Sequence, residues 1–181
     1  PAGTTGAQSQ SFVVGKATAP VTVTVYEDFQ CPACRDFESL SGATLAGFVA
    51  DGTVKVEYRP VAILDRFSST EYSSRALNAA GCVIAAAPQQ FTRFHSLLFA
   101  NQPAESSAGL DDARLTALGQ QVGARIGTCV TDQTYSGWAA RVTDQASKDG
   151  LAGTPTVQVD GVPVASPTPE ALTAAIRAAA A

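Results

Sequence analysis

Two stretches near the start of the chain, "SFVVG" and "VTVTVYEDF", are rich in β-branched and aromatic residues and are parted by the turn-prone "KATAP", so they predict two strands. In "CPACRDFESLSGATLAGFVADG" the apolar positions Phe37, Leu40, Leu45, Phe48 and Val49 recur at helical spacing. This helix opens at Pro32, where a first turn tolerates proline, and stops at Asp51-Gly52. "TVKVEYRPV" predicts a third strand. From about Ser68 to Asp149 the period becomes helical throughout, in "STEYSSRALNAAGCVIAAAP", "QQFTRFHSLLFANQ", "DDARLTALGQQVG" and "DQTYSGWAARVTDQASKDG", parted by Pro88, Pro103 and glycine-bearing turns. The chain closes with "TVQV", an Asp160-Gly161 hairpin turn, "VPV", and a helix from near Pro169. The pattern is an α/β frame, residues 11–67 and 150–181, into which a helical domain, residues 68–149, is inserted.

Composition narrows the class. At 181 residues, 45% hydrophobic and 15% charged, the chain buries a full core without needing staples. A net charge of −4 argues against nucleic acid or an anionic membrane as the main partner. No apolar run reaches the roughly 18 residues of a membrane helix. Residues 1–10, "PAGTTGAQSQ", are small, polar and turn-rich and are expected to be a flexible lead, the remainder of a removed export signal or membrane anchor; a trimmed cytosolic protein is the alternative. The four cysteines fit an oxidising compartment.

The candidate chemistry sits where the second strand runs into the first long helix. Cys31 and Cys34 form a CxxC there, and this spacing alone serves a redox pair, half of a metal site or two ordinary thiols. At the first turn of a helix, unsatisfied N–H groups and the positive end of the helix dipole favour a thiolate, so Cys31 is expected to be the low-pKa sulfur. Cys34, one turn in, is expected to be more buried and to resolve the mixed disulfide that thiol-disulfide exchange passes through. Far downstream, in "GTPTV", Pro155 at a strand start between Thr154 and Thr156 fits a cis-proline turn packed beside a CxxC; an ordinary trans bond is the alternative.

With "VTVYEDFQCPACRDF", "FHSLLFANQ" and "GLAGTPTVQVDG" taken together, the chain from Phe12 onward resembles the DsbA-type thiol-disulfide oxidoreductases, and its alanine-rich composition suggests a high-GC actinobacterium. The resemblance implies a thioredoxin fold, a central mixed sheet flanked by helices, interrupted by a helical domain. It implies Cys31 as the solvent-facing catalytic cysteine, Cys34 as its partner, Pro32 and Ala33 as the dipeptide between them, and Pro155 as the cis-proline whose neighbour Thr154 pairs with an extended substrate. It further implies an extracytoplasmic monomer that oxidises reduced, unfolded exported proteins and is reoxidised by a quinone-linked membrane partner of the DsbB or VKOR type, with no organic cofactor and no metal. A reductase or isomerase of the cell envelope, and a binding or chaperone module with an idle CxxC, are the alternatives.

The sequence departs from the family pattern in two places. Strongly oxidising members carry histidine in the dipeptide, whereas Pro32-Ala33 offers none; and Val25 stands where many thioredoxin-fold proteins bury an acid, six positions before the first cysteine. Glu27 and Asp28 lie closer, are expected to be solvated, and as nearby negative charges would raise the Cys31 pKa and weaken the oxidant. Cys82 and Cys129, both in the helical region, are expected to form a structural disulfide, two separately buried thiols being the alternative. The lone histidine, His95, sits among core-like aromatics and is read as structural; Arg59, Arg93 and the acids of the first helix are read as solvated.

Overall fold

The computed structural model describes residues 10–181, so the expected N-terminal lead lies, apart from Gln10, outside the described residues. Five strands form one mixed sheet: β1 Phe12–Val14, β2 Val21–Glu27, β3 Val54–Pro60, β4 Thr156–Val159 and β5 Val162–Pro163, in the order β1-β3-β2-β4-β5. β2 is central, parallel to β3 with Val23 opposite Val56 and Val25 opposite Tyr58, and antiparallel to β4 with Val25 opposite Val157. Its period-two pattern buries Val21, Val23 and Val25 completely. The same parity carries inward the next odd position, Glu27, which is 2% exposed.

Helix α1, Pro32–Asp51, follows β2 directly, packs on β3 and buries Cys34, Phe37, Ser41 and Leu45, Ser41 Oγ donating to Pro167 O at 3.0 Å. Pro32 stands at its first turn, and it ends at Gly52, whose φ of 85° is open to a residue without a Cβ and lets its N–H cap Val49 O at 3.2 Å. Between β3 and β4 run α2 Tyr72–Ala86, α3 Phe91–Ala100, α4 Asp112–Gln121, α5 Gly127–Thr131 and α6 Ser136–Lys148. The four long helices match the sequence pattern. The five-residue α5 and the tight turns at 65–67 and 88–90 are too short to carry a readable period. Cys82 of α2 and Cys129 of α5 are joined in a disulfide with Cα atoms 5.9 Å apart, which excludes the two-thiol alternative in this structure. At the C-terminal end, Asp160 and Gly161 both adopt positive φ in the two-residue turn between β4 and β5, and α7, Pro169–Ala179, packs Leu172 and Ile176 against α1 and β4.

A thiol pair, its covering loop and a buried charge cluster

Cys31 is the residue immediately before α1 proper, and its carbonyl accepts from the N–H groups of Cys34 (3.1 Å) and Arg35 (3.2 Å). Its own N–H is tied back to Asp28 O at 2.9 Å, and Gln102, just beyond α3, donates from Nε2 to both Phe29 O (3.0 Å) and Cys31 O (2.9 Å). The turn is thus held by Asp28, expected from sequence to be solvated, and by Gln30, Ser73 and Gln102, which the sequence pattern did not mark. The Asp28 carboxylate accepts from Gln30 N (2.9 Å), Leu64 N (3.0 Å) and Ser73 Oγ (2.6 Å), while Gln30 Nε2 reaches Phe67 O at 3.2 Å. For Asp28 and Gln30 the signal was the polar run in "EDFQ" at a strand end entering a helix; Ser73 and Gln102 reach the turn only through tertiary packing.

The loop 151–155 lies over the thiols. As a thiol Cys31 donates from Sγ to Thr154 O at 3.3 Å, and the Thr154–Pro155 bond is cis. This cover corrects the expectation of a solvent-facing Cys31: it is only 7% exposed, and Cys34 1%, so the order of exposure is as expected but both are buried. Between them Pro32 is half-buried and Ala33 exposed. Neither thiol is disulfide-bonded in this structure.

The two sulfurs differ sharply in acidity. The Cys34 thiol donating to Cys31 is the largest influence on Cys31; with the Thr154 side chain and the backbone N–H groups of Cys34 and Ala33 it outweighs burial and brings Cys31 from 9.0 down to about 6. Burial, followed by the same hydrogen bond and the charge of Cys31, pushes Cys34 far up. The pair is therefore built to hold one proton, on Cys34. This overturns the expectation that nearby acids would raise Cys31, and with it that reason for a weak oxidant.

The acids themselves are not solvated. Asp28 is fully buried, and burial raises it to about 6 against its three hydrogen bonds. Glu27 is buried against His95, whose Nε2 lies 2.6 Å from Glu27 Oε1. His95, 1% exposed, occupies the inward face of α3 with Phe91, Phe94, Leu98 and Phe99, and turns its Nδ1 to Glu38 Oε1 of α1 at 3.7 Å. Burial opposes protonation of His95, but the two carboxylates prevail and raise it to about 10; burial presses Glu27 upward as well. The negative charge expected beside Cys31 is thus neutralised internally, and its effect falls on Cys34, which Glu27 helps to keep protonated. Glu38, read as solvated from sequence, is one-fifth exposed and accepts from Ser96 Oγ at 3.0 Å. Arg59, also read as solvated, pairs with Glu57 at 3.1 Å, whereas Arg93 is exposed as expected.

Among the described residues no group of His, Cys, Asp and Glu is arranged to hold a metal ion, and no helix is long and apolar enough to cross a membrane.

A family model described as Thioredoxin matches residues 7–178. Among solved structures, oxidised DsbA of Mycobacterium tuberculosis superposes with a TM-score of 0.83 at 35% identity, covering 94% of this chain and 92% of that one. Reduced DsbG of the same organism gives 0.84 at 35% identity, covering 96% and 88%. Among curated proteins, the serine/threonine-protein kinase PknE of Mycobacterium tuberculosis is 34% identical over 147 residues, 77% of this chain but 26% of the kinase. The chain spans about a quarter of the length of the curated relatives it matches. A five-stranded mixed sheet with a CxxC at the β2–α1 junction and near full-length likeness to two such enzymes place the assignment beyond the fold alone: the chain belongs to the thioredoxin family and, within it, to the DsbA-type thiol-disulfide oxidoreductases.

Proposed function

We propose that this protein is an extracytoplasmic oxidase that donates the Cys31–Cys34 disulfide to reduced, unfolded exported proteins. The observation that carries the reading is the acidity split: Cys31 near 6 beneath the Thr154 carbonyl, Cys34 protonated behind it. A stabilised Cys31 thiolate favours the dithiol over the disulfide, and a disulfide whose reduced form is stabilised is a stronger oxidant. In the forward reaction a substrate thiolate attacks Cys31 Sγ, the bond to Cys34 breaks, and Cys34 leaves as a thiolate that takes up a proton. The substrate's second thiolate then attacks the substrate sulfur of the mixed disulfide, and Cys31 leaves as the stable thiolate. The substrate loses two electrons and this protein gains them.

The Thr154 backbone is the edge on which an extended substrate segment pairs, with Pro32, Ala33 and Pro155 forming its floor. A quinone-linked membrane reoxidase of the DsbB or VKOR type would restore the disulfide. The protein acts as a monomer, through a thioredoxin-fold domain of residues 11–67 and 150–181 that carries the thiols and an inserted domain of residues 68–149 that supplies Ser73, His95 and Gln102 around them.

The test is oxidative refolding of a reduced multi-disulfide protein, run beside insulin reduction. An oxidase restores substrate activity faster than a glutathione buffer alone and loses that ability in Cys31→Ser. Insulin reduction without refolding activity assigns the protein to the reductases, and neither activity refutes the proposal.

A further inference from the structure

Away from the thiols, a cleft of about 430 Å³ opens between α1, α3 and the β1–β3 edge of the sheet, within the range of small-molecule sites. It follows α1 from Glu38 to Ala50, and Ala46 lies 15 residues beyond Cys31, roughly 22 Å along a helix rising 1.5 Å per residue. Its walls are apolar: Val14, Leu45, Val49 and Val56. Its polar end is Glu38, Ser96, His95 and Tyr58.

The charge at that end has one sign. Whichever of Glu27 and His95 holds the shared proton, that pair is neutral, so the cluster carries the charge of Glu38 alone. Burial works against the Glu38 carboxylate, but the His95 hydrogen bond and charge and the Ser96 hydroxyl keep its pKa below the ordinary range. His95 has no donor to spare, with Nε2 on Glu27 and Nδ1 turned to Glu38. No lysine or arginine lines the cleft. Both Ser96 and His95 use Oε1 of Glu38, leaving Oε2 as an acceptor. Tyr58 also lines the cleft, and its hydroxyl, engaged by no hydrogen bond within the described residues, is not sealed in the core as the unpartnered Tyr72 hydroxyl is. A hydroxyl that the fold leaves unengaged at the cleft wall is free to accept a hydrogen bond from an ammonium group.

We propose that this cleft is a binding site for a small amphipathic amine, its ammonium held by Glu38 and the Tyr58 hydroxyl and its apolar body lying along Leu45 and Val49 on one side and Val14 and Val56 on the other.

The experiment is a titration of the whole ¹⁵N-labelled protein at pH 7 with octylammonium, octanoate and octanol, followed by amide chemical shifts. Octylammonium gives saturable shifts centred on Gly42, Ala46, Val49 and Ser96, and binds at least tenfold more tightly than octanoate or octanol, as a charge-assisted hydrogen bond predicts. Glu38→Gln removes the preference for the amine over the alcohol. Ala46→Phe, which narrows the cleft without touching the carboxylate, weakens amine binding at least tenfold and leaves oxidase activity unchanged. The inference is overturned by unsaturable shifts, by equal affinity for octanoate, by shifts centred on the Cys31–Thr154 region, or by an amine preference retained in Glu38→Gln. Should Glu38→Gln fail to fold, unaltered amine affinity in Ala46→Phe overturns it independently.

Discussion

Replacing Cys34 by alanine removes the donor that does most to ionise Cys31, whereas replacing it by serine keeps a hydroxyl in nearly the same place. The fall of Cys31 from 9.0 to about 6 is about a thousandfold in its ionisation equilibrium. The Cys34 hydrogen bond is the largest of several favourable contributions, so losing it should raise the Cys31 pKa by at least about one unit, or ~1.4 kcal/mol of thiolate preference. At pH 7 a Cys31 of pKa about 6 is roughly nine-tenths thiolate; one unit higher it is about half. Thiolate absorbance at 240 nm and iodoacetamide alkylation, each followed against pH in the reduced proteins, read this directly. The expected midpoints are near 6 for the parent, close to the parent for Cys34→Ser, and 7 or above for Cys34→Ala. A Cys34→Ala midpoint still near 6 would mean that the backbone N–H groups and the helix end alone hold the charge, and that the Cys34 thiol is not its main support.

Three other consequences can be measured. Opening Cys82–Cys129 by a double serine substitution should cost about 4 kcal/mol by loop-closure entropy for a separation of 47 residues, seen in urea unfolding, with the Cys31 midpoint unmoved. His95→Ala should destabilise by about 3–5 kcal/mol because it strands Glu27 in the core; since His95 is raised from 6.5 to about 10, its contribution is fully present below pH 6.5 and lost as pH rises through about 10, an alkaline slope that this variant should lack. Asp28 is raised from 3.8 to about 6, so it favours folding below pH 3.8 and loses that advantage as pH rises through 6; Asp28→Asn should flatten this slope and cost about 1–3 kcal/mol by turning an amide N–H against Leu64 or Gln30. The pH measurements belong in a Cys31→Ser, Cys34→Ser background, where no thiolate contributes.

Much of this was legible in the chain because local rules and tertiary structure agree there. The valine alternation of β2, Pro32 at the opening of α1, Gly52 at its end and Asp160-Gly161 in the last hairpin each set backbone geometry with few alternatives. The CxxC was visible by spacing, and its setting at a strand-to-helix junction by pattern. His95 was readable as a core residue from its aromatic neighbours; what was misread was Glu27, and what stayed hidden was that the two meet. Glu27 has the parity of Val21, Val23 and Val25, and His95 the spacing of Phe91, Phe94, Leu98 and Phe99, so each is marked for burial by periodicity alone. For Glu27 hydrophilicity argued the opposite, and only the 68-residue leap that brings it within 2.6 Å of His95 makes its burial affordable. Gln102 escaped for a different reason: it lies in irregular backbone after α3, where no period applies, and reaches the thiol turn only through tertiary packing.

On the proposed reading Cys31 is the sulfur that substrates attack and Cys34 the one that resolves. Incubating the Cys34→Ser variant with a peptide carrying one activated cysteine, then mapping the product by mass spectrometry without reduction, tests it most directly. A single mixed disulfide, at Cys31, is expected; it persists in Cys34→Ser and is released as disulfide exchange proceeds when Cys34 is present. No adduct at Cys31, or release that is equally fast without Cys34, would contradict it.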